Sequence, residues 1–123
     1  MAFDWDQYRV LAEELRLRED EASLRSSVSR LYYAIYWRAR LHLENNEGFI
    51  LSRQGESHKQ IWREYQARGR AHRGIGINGD RLHFNRLQAD YEANAGRLND
   101  IVVESFHIAN NVQTYLDQVQ QKI

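Results

Sequence analysis

Apolar residues recur at the spacing of an α-helix along most of this chain, and no proline interrupts the pattern. A proline inside a helix removes a backbone hydrogen bond and clashes with the preceding turn, so its absence allows long helices. No segment shows the sustained alternation of apolar and polar residues that predicts a half-buried strand. The pattern therefore predicts an all-α fold, an antiparallel bundle of four to five helices in a single domain over residues 1–123.

Five segments carry the helical pattern. The first covers about 4–18, and the second runs from a cap at Asp20 to about Asn45. The third begins near Glu56 or Ser57, a short fourth runs from a cap at Asn78 or Asp80 to about Leu87, and the fifth, which is the clearest, covers about 98–121. Four glycines at positions 69–79 predict a loop before the fourth helix. The stretch 89–96 either continues the fourth helix or forms the turn into the fifth, and the pattern leaves both alternatives open.

Composition excludes several classes of site. The chain has no cysteine, so disulfides, thiolate metal sites and a cysteine nucleophile are excluded, and a reducing cytoplasm suits it. The first residues lack the apolar run of a signal peptide, and no stretch approaches the roughly 20 apolar residues of a membrane span. We therefore expect a cytoplasmic protein without membrane contact.

Charge gives a mixed indication. Lys plus Arg balances Asp plus Glu at 17 each, and a net charge of zero does not by itself favour nucleic-acid binding. Fifteen of the 17 basic residues are arginine, however, and the guanidinium group suits planar contacts with carboxylate or phosphate. Arginine is therefore the residue type that best suits a binding site for such groups in this chain.

The densest segment, 26–40, holds four aromatic residues within six positions, 32–37. On a helix these side chains point around more than half of the circumference, so at least one face must meet another helix, a second subunit or a ligand. The alternatives are a tight aromatic core with its phenol hydroxyls at the surface, which we favour, and a platform for stacking bases. The surplus aromatic surface also motivates the prediction of a homodimer.

Two short motifs stand out along the chain. The first is Ser29-Arg30-x-Tyr32-Tyr33-Ala34, with Arg25 upstream, and the second is Arg86-x-x-Ala89-Asp90-Tyr91. In residue type, order and separation the two motifs resemble those of the HEPN family of helical proteins, many of which are associated with RNA or nucleotides. With the long final helix included, the resemblance extends over nearly the whole chain.

The resemblance implies two alternative functions. Many HEPN proteins are metal-independent ribonucleases, often toxins, in which two copies of an Arg–x4–6–His motif form a cleft between two subunits. Others lack this motif and bind nucleotides or pair with small nucleotidyltransferases. We therefore expect a protein of a defence or toxin–antitoxin module that acts on or binds RNA or a nucleotide. The alternative is a non-catalytic dimeric partner or regulator of a nucleotidyltransferase or another effector.

The resemblance places the candidate catalytic residues at Arg86, Asp90 and Tyr91. Tyr91 stands where the nuclease motif has His, and a phenol with a pKa near 10 is a poor base at neutral pH. Asp90 could act as the base, or it could form an ion pair with Arg86 one helical turn away. Both alternatives stay open, and with them the question of whether the chain is an enzyme.

Further candidates for binding RNA or a nucleotide are Arg30 and Tyr33 of the first motif, together with Arg70, His72 and Arg73 of the glycine-rich segment 68–76. That segment could hold a phosphate through guanidinium groups and exposed amides. The alternative is a solvated connector without a ligand.

We expect no cofactor and no metal ion. The five histidines are not spaced three or four apart, as paired ligands on one helix would be. An Arg–x4–His spacing does occur at Arg53 and His58, but it lies at the start of the third helix rather than near the fourth. His58 shares a face with Ile61 and Trp62, which predicts a packing role rather than a catalytic one.

Overall fold

The computed structural model describes residues 2–121, so that the ends of the predicted domain, Met1 and Ile123, lie outside the described residues. The helices are α1 (Asp6–Arg16), α2 (Glu21–Asn46), α3 (Ser57–Ala67), α4 (Arg70–Tyr91) and α5 (Leu98–Gln121). Helix makes up 78% of the described residues, and these contain no strand. The predicted all-α bundle is confirmed, with five helices packed around a shared apolar core.

Helix α2 is the central element and contacts each of the other four helices. Its start is fixed locally, because the Asp20 side chain accepts a hydrogen bond from the backbone N–H of Ser23 at 3.0 Å. Its buried apolar residues recur at the i, i+3 and i+4 spacing of one helix face; they include Leu24, Val28, Leu31, Tyr32, Ile35 and Ala39. The helix ends at Asn46, and Gly48 then takes a positive φ of 70° that a glycine adopts without strain.

The four aromatic residues of α2 all pack against other residues of the same chain. Tyr32 and Tyr36 are buried, Trp37 stacks on Trp5 with ring centroids 4.7 Å apart, and Tyr33 lies half-buried beside α4. The Tyr32 hydroxyl does not reach the surface, contrary to the predicted core, because it bonds to side chains of α3. Surplus aromatic surface therefore no longer argues for a homodimer.

The predicted loop at 69–79 is wrong, because residues 70–79 form the first part of α4 and only Gly69 precedes it. The reason is the close approach of α3. A methyl group at position 79 would lie 2.3 Å from the indole ring of Trp62, and one at position 76 would lie 2.5 Å from the Trp62 backbone oxygen. The two glycines thus let the helices touch, and tertiary packing outweighs their poor helix propensity.

The predicted start of the fourth helix is wrong for the same reason. Asn78 does not cap a helix: its amide donates to the backbone oxygen of Gly74 at 2.8 Å, one turn earlier in α4. The helix runs past Leu87 to Tyr91, and the turn into α5 follows. Of the two alternatives for 89–96, the first residues thus continue the helix and the remainder forms the turn.

Arg25 of α2 closes the C-terminal end of α4. Its guanidinium donates to the backbone oxygens of Ala89, Glu92 and Ala93 at 2.9, 2.7 and 3.2 Å. These carbonyl groups have no partner within the helix, so the bonds satisfy acceptors that the helix end leaves free. The upstream arginine of the first motif is therefore a structural residue that joins α2 to the end of α4.

The first and last helices lie close to their predicted positions. Helix α1 is two residues shorter at each end than predicted, and α5 has the predicted bounds. The buried residues of α5 recur at helical spacing along one face; they include Val102, Ser105, Ile108, Ala109, Val112, Leu116 and Val119. Within residues 2–121 no helix has both the length and the apolar character needed to cross a membrane.

Candidate functional site

Arg86 of α4 lies between two phenol rings. Its Cζ atom is 5.0 Å from the ring centroid of Tyr33 on α2 and 5.4 Å from that of Tyr91 at the end of α4. Only 13% of the Arg86 side chain is exposed, and the rings hold the cation by their negative faces. The packing of α2 on α4 thus brings the two motifs of the sequence together at one arginine.

Asp90 is the charged partner of Arg86. Its Oδ2 atom lies 2.8 Å from Arg86 Nε, although the N–H bond is not aligned for a hydrogen bond, and it also accepts a bond of 3.2 Å from the Ser29 hydroxyl. The one-turn ion pair considered from the sequence is therefore present. Arg86 Nη2 donates to the Tyr91 hydroxyl at 3.5 Å, the limit of a hydrogen bond. We call these five residues, Ser29, Tyr33, Arg86, Asp90 and Tyr91, the Arg86 site.

Two histidines that the sequence did not place at a site pack beside Arg86. The rings of His58 and His83 are stacked with centroids 4.8 Å apart and planes 12° apart. Burial lowers the pKa of His58 to about 4, helped by the neighbouring His83 and Arg86. Burial also lowers the pKa of His83, and Arg86 adds to the effect. Both imidazoles are consequently neutral at pH 7.

The hydrogen bonds of His58 make it a weak candidate for a base. The Tyr32 hydroxyl accepts from Trp62 Nε1 at 3.0 Å and lies 2.6 Å from His58 Nδ1. Burial raises the pKa of Tyr32, so the phenol keeps its proton and donates it to Nδ1. The lone pair of His58 Nδ1 thus accepts this hydrogen bond and is not free to take a proton from a substrate. The structure agrees with the predicted packing role of His58, and Arg53 lies exposed in the loop before α3.

The other predicted binding residues do not join the Arg86 site. The Arg30 guanidinium lies over the ring of Tyr8 at 4.9 Å, on the side of α2 that faces α1. Arg70 and Arg73 are exposed on the first turn of α4 rather than in a loop. That turn is roughly 20 Å from Arg86 along the helix axis, at 1.5 Å per residue.

His72 belongs to a second cluster at the opposite end of α4. With His42 and Glu47 it brings three ligand atoms within 4.8 Å of one another. Hydrogen bonds from His72 and His42 lower the pKa of the Glu47 carboxyl, against the opposing effect of burial. We call His42, Glu47 and His72 the Glu47 cluster. No sequence spacing could reveal it, because its members come from α2, the end of α2 and α4.

Comparisons with known proteins add no relative. No protein-family model, no curated protein and no solved structure matches the chain. The resemblance to the HEPN family therefore rests on the two motifs, which the fold brings into contact at Arg86.

At the Arg86 site the chain can offer a cation, a carboxylate and a phenol hydroxyl to one ligand. Tyr91 is 70% exposed, and its ring could stack on a planar group such as a base. The Arg86 guanidinium could take a phosphate in place of Asp90, because a phosphate offers the same pair of oxygen acceptors. These groups suit a phosphate ester that carries a base.

Proposed function

We propose that the protein binds RNA or a nucleotide at the Arg86 site and cleaves RNA there without a metal ion. The observation that carries the proposal is the position of Arg86, held between Tyr33 and Tyr91 with Asp90 beside it. A role in a defence or toxin–antitoxin module of the cytoplasm belongs to the same proposal and is supported only by the resemblance to HEPN proteins.

In the proposed reaction the RNA 2′-oxygen attacks the neighbouring phosphorus and the bond to the 5′-oxygen breaks. The 2′-hydroxyl proton passes to the Asp90 carboxylate, and the leaving 5′-oxygen takes a proton from water. Arg86 stabilises the charge that develops on the phosphate oxygens. The products are a 2′,3′-cyclic phosphate and a 5′-hydroxyl end, which gives the proposal a chemical signature.

The test is cleavage of cellular RNA by the purified protein in the presence of a chelator. We expect wild type to cut RNA and Arg86→Ala to lose the activity. Arg81→Ala is the matched control, because Arg81 lies on the same helix but pairs with Glu104 on an exposed face at 3.5 Å. Circular dichroism of each variant checks the fold. Equal cleavage by wild type and Arg86→Ala would contradict a catalytic role of this site.

RNA binding is measured separately by the fluorescence anisotropy of a labelled oligonucleotide. We expect Asp90→Asn to retain binding, because the competing carboxylate charge is removed, and to lose cleavage, because the amide cannot take the proton. If Asp90→Asn cleaved like wild type, Asp90 would not be the base.

The second candidate is a non-catalytic dimeric partner of a nucleotidyltransferase or another effector. Two observations favour it: Asp90 already neutralises Arg86, and α4 exposes apolar side chains, among them Phe84 at 60% and Tyr91 at 70%. Under this proposal wild type cuts no RNA and forms a homodimer in light scattering. We expect Phe84→Glu to abolish the dimer, while Val10→Glu on the exposed side of α1 leaves it intact. A concentration-independent monomer would contradict the homodimer.

A further inference from the structure

The Glu47 cluster joins two distant segments of the chain through one carboxylate. His42 lies in the last turns of α2, Glu47 follows the end of that helix, and His72 lies in the first turn of α4. His42 Nε2 is 2.5 Å from Glu47 Oε2, and His72 Nε2 is 2.8 and 2.9 Å from the two carboxylate oxygens. Both imidazoles thus present the same ring nitrogen to the same acceptor.

We propose that the Glu47 cluster is a binding site for a divalent transition-metal ion, and we take zinc as the probe. Imidazole and carboxylate are the ligands that zinc prefers when no thiolate is present, and two histidines with one glutamate leave a position for water. Magnesium and calcium are disfavoured, because they bind oxygen ligands. All three side chains already lie close enough for small rotations to bring their donor atoms around one ion.

Burial makes the ligands well ordered before an ion enters. The His42 side chain is completely buried, and the side chains of Glu47 and His72 are largely buried. The ring of Tyr65 stacks on that of His72 with centroids 5.7 Å apart, and the Tyr65 hydroxyl is itself fixed by the Ala39 backbone oxygen at 2.7 Å. Packing therefore holds the ligand side chains in place, so that little side-chain entropy would be lost when an ion binds.

The nearest positive charge can be accommodated. Arg68 Nη1 lies 3.4 Å from the Glu47 carboxylate, and a cation beside it would be repelled by the guanidinium. Arg68 has a closer partner, however, since its Nε is 2.7 Å from the carboxylate of Glu64. Glu64 can thus retain Arg68 when a metal ion takes Glu47. Coordination through His42 Nε2 would replace the bond that this atom now makes to Glu47, and the ring proton would then be on Nδ1, which has no hydrogen-bond partner.

The ion would have a structural role. It would tie the end of α2 to the start of α4 across α3, at the opposite end of α4 from Arg86. It would therefore raise the stability of the fold without taking part in the proposed RNA cleavage. This separation lets the two proposals fail independently, since a chelator removes the ion and leaves Arg86 unchanged.

The experiment is calorimetric titration of zinc into untagged protein that has been dialysed against a chelator. We expect one ion per chain and a higher melting temperature of the loaded protein. With cobalt in place of zinc, we expect the visible absorption of an ion bound to nitrogen and oxygen ligands. Glu47→Gln and His72→Gln should each weaken binding by more than about tenfold, the loss that even an outer-shell residue can cause.

His107→Gln is the matched control, because His107 is an exposed histidine of α5 far from the Glu47 cluster in the sequence. We expect it to bind zinc like wild type. The proposal is overturned if wild type shows no saturable binding, if Glu47→Gln and His72→Gln bind like wild type, or if a moderate excess of magnesium displaces the zinc. Circular dichroism of the metal-free variants establishes that a loss of binding is not a loss of fold.

Discussion

The contact between α3 and α4 is expected to depend on the absence of a side chain at Gly79. In Gly79→Ala the new methyl group would lie 2.3 Å from a ring carbon of Trp62, well inside contact distance. The indole cannot retreat easily, because Trp62 is 1% exposed and its Nε1 donates to Tyr32 at 3.0 Å. We therefore expect the helices to be forced apart or the indole to leave its hydrogen bond.

The magnitude follows from two opposing effects. Replacing glycine by alanine in a helix interior stabilises by about 1 kcal/mol. Overpacking a close-packed core costs about 1–3 kcal/mol, and the short distance at this site favours the upper end. We expect Gly79→Ala to lower the free energy of unfolding by about 2 kcal/mol, or the melting temperature by roughly 8 °C.

Gly74→Ala provides a control with the same gain in helix propensity. Its methyl group would lie 3.1 Å from the ring of Tyr115, which is half-buried and can move by a few tenths of an ångström. We expect this variant to be as stable as wild type or up to about 1 kcal/mol more stable. The comparison of the two alanine variants thus isolates the cost of the contact with Trp62.

Urea unfolding followed by circular dichroism measures both variants. A further variant tests the cause: in a Trp62→Leu background the clash is removed, so Gly79→Ala should no longer destabilise. If Gly79→Ala proved as stable as Gly74→Ala in the wild-type background, the close approach of α3 and α4 could not be the reason for glycine at position 79.

Two further predictions concern Arg25 and the histidine stack. Arg25→Ala should destabilise by about 1–2 kcal/mol in urea unfolding, because three carbonyl groups at the end of α4 lose their donor, and Arg25→Lys should recover less than half; full stability of Arg25→Ala would refute this role. Burial lowers the pKa of His58 from 6.5 to about 4, so the unfolded chain binds a proton more readily and stability should decrease as the pH falls from 6.5 to about 4. His58→Phe should reduce that pH dependence and His107→Gln should not; an unchanged slope in His58→Phe would contradict the assignment.

Local sequence signals predicted those parts of the fold that local interactions fix. The start of α2 follows from a side-chain cap three residues away, and the faces of α2 and α5 follow from apolar spacing. The Arg86–Asp90 pair was foreseeable in the same way, because residues four apart on a helix are neighbours. Each of these predictions needed only residues within a few turns of one another.

The glycine-rich half of α4 shows where local signals mislead. Four glycines at positions 69–79 predict a loop, because glycine is a poor helix former. In the folded chain α3 packs closely against α4 at Gly76 and Gly79. The free energy gained by burying Trp62 there therefore favours glycine, although glycine has a low helix propensity. Propensity is a small energy per residue, and packing of a large side chain can exceed it.

The sequence by itself therefore determined the helical class, the core faces of the long helices and the residues nearest to Arg86 along α4. Tertiary structure alone decided that Tyr33 covers Arg86, that two histidines stack beside it, and that His42 and His72 converge on the Glu47 carboxylate. The physical reason is range. Helix periodicity is set by neighbours one turn away, whereas these contacts join residues whose separation along the chain carries no signal until the helices pack.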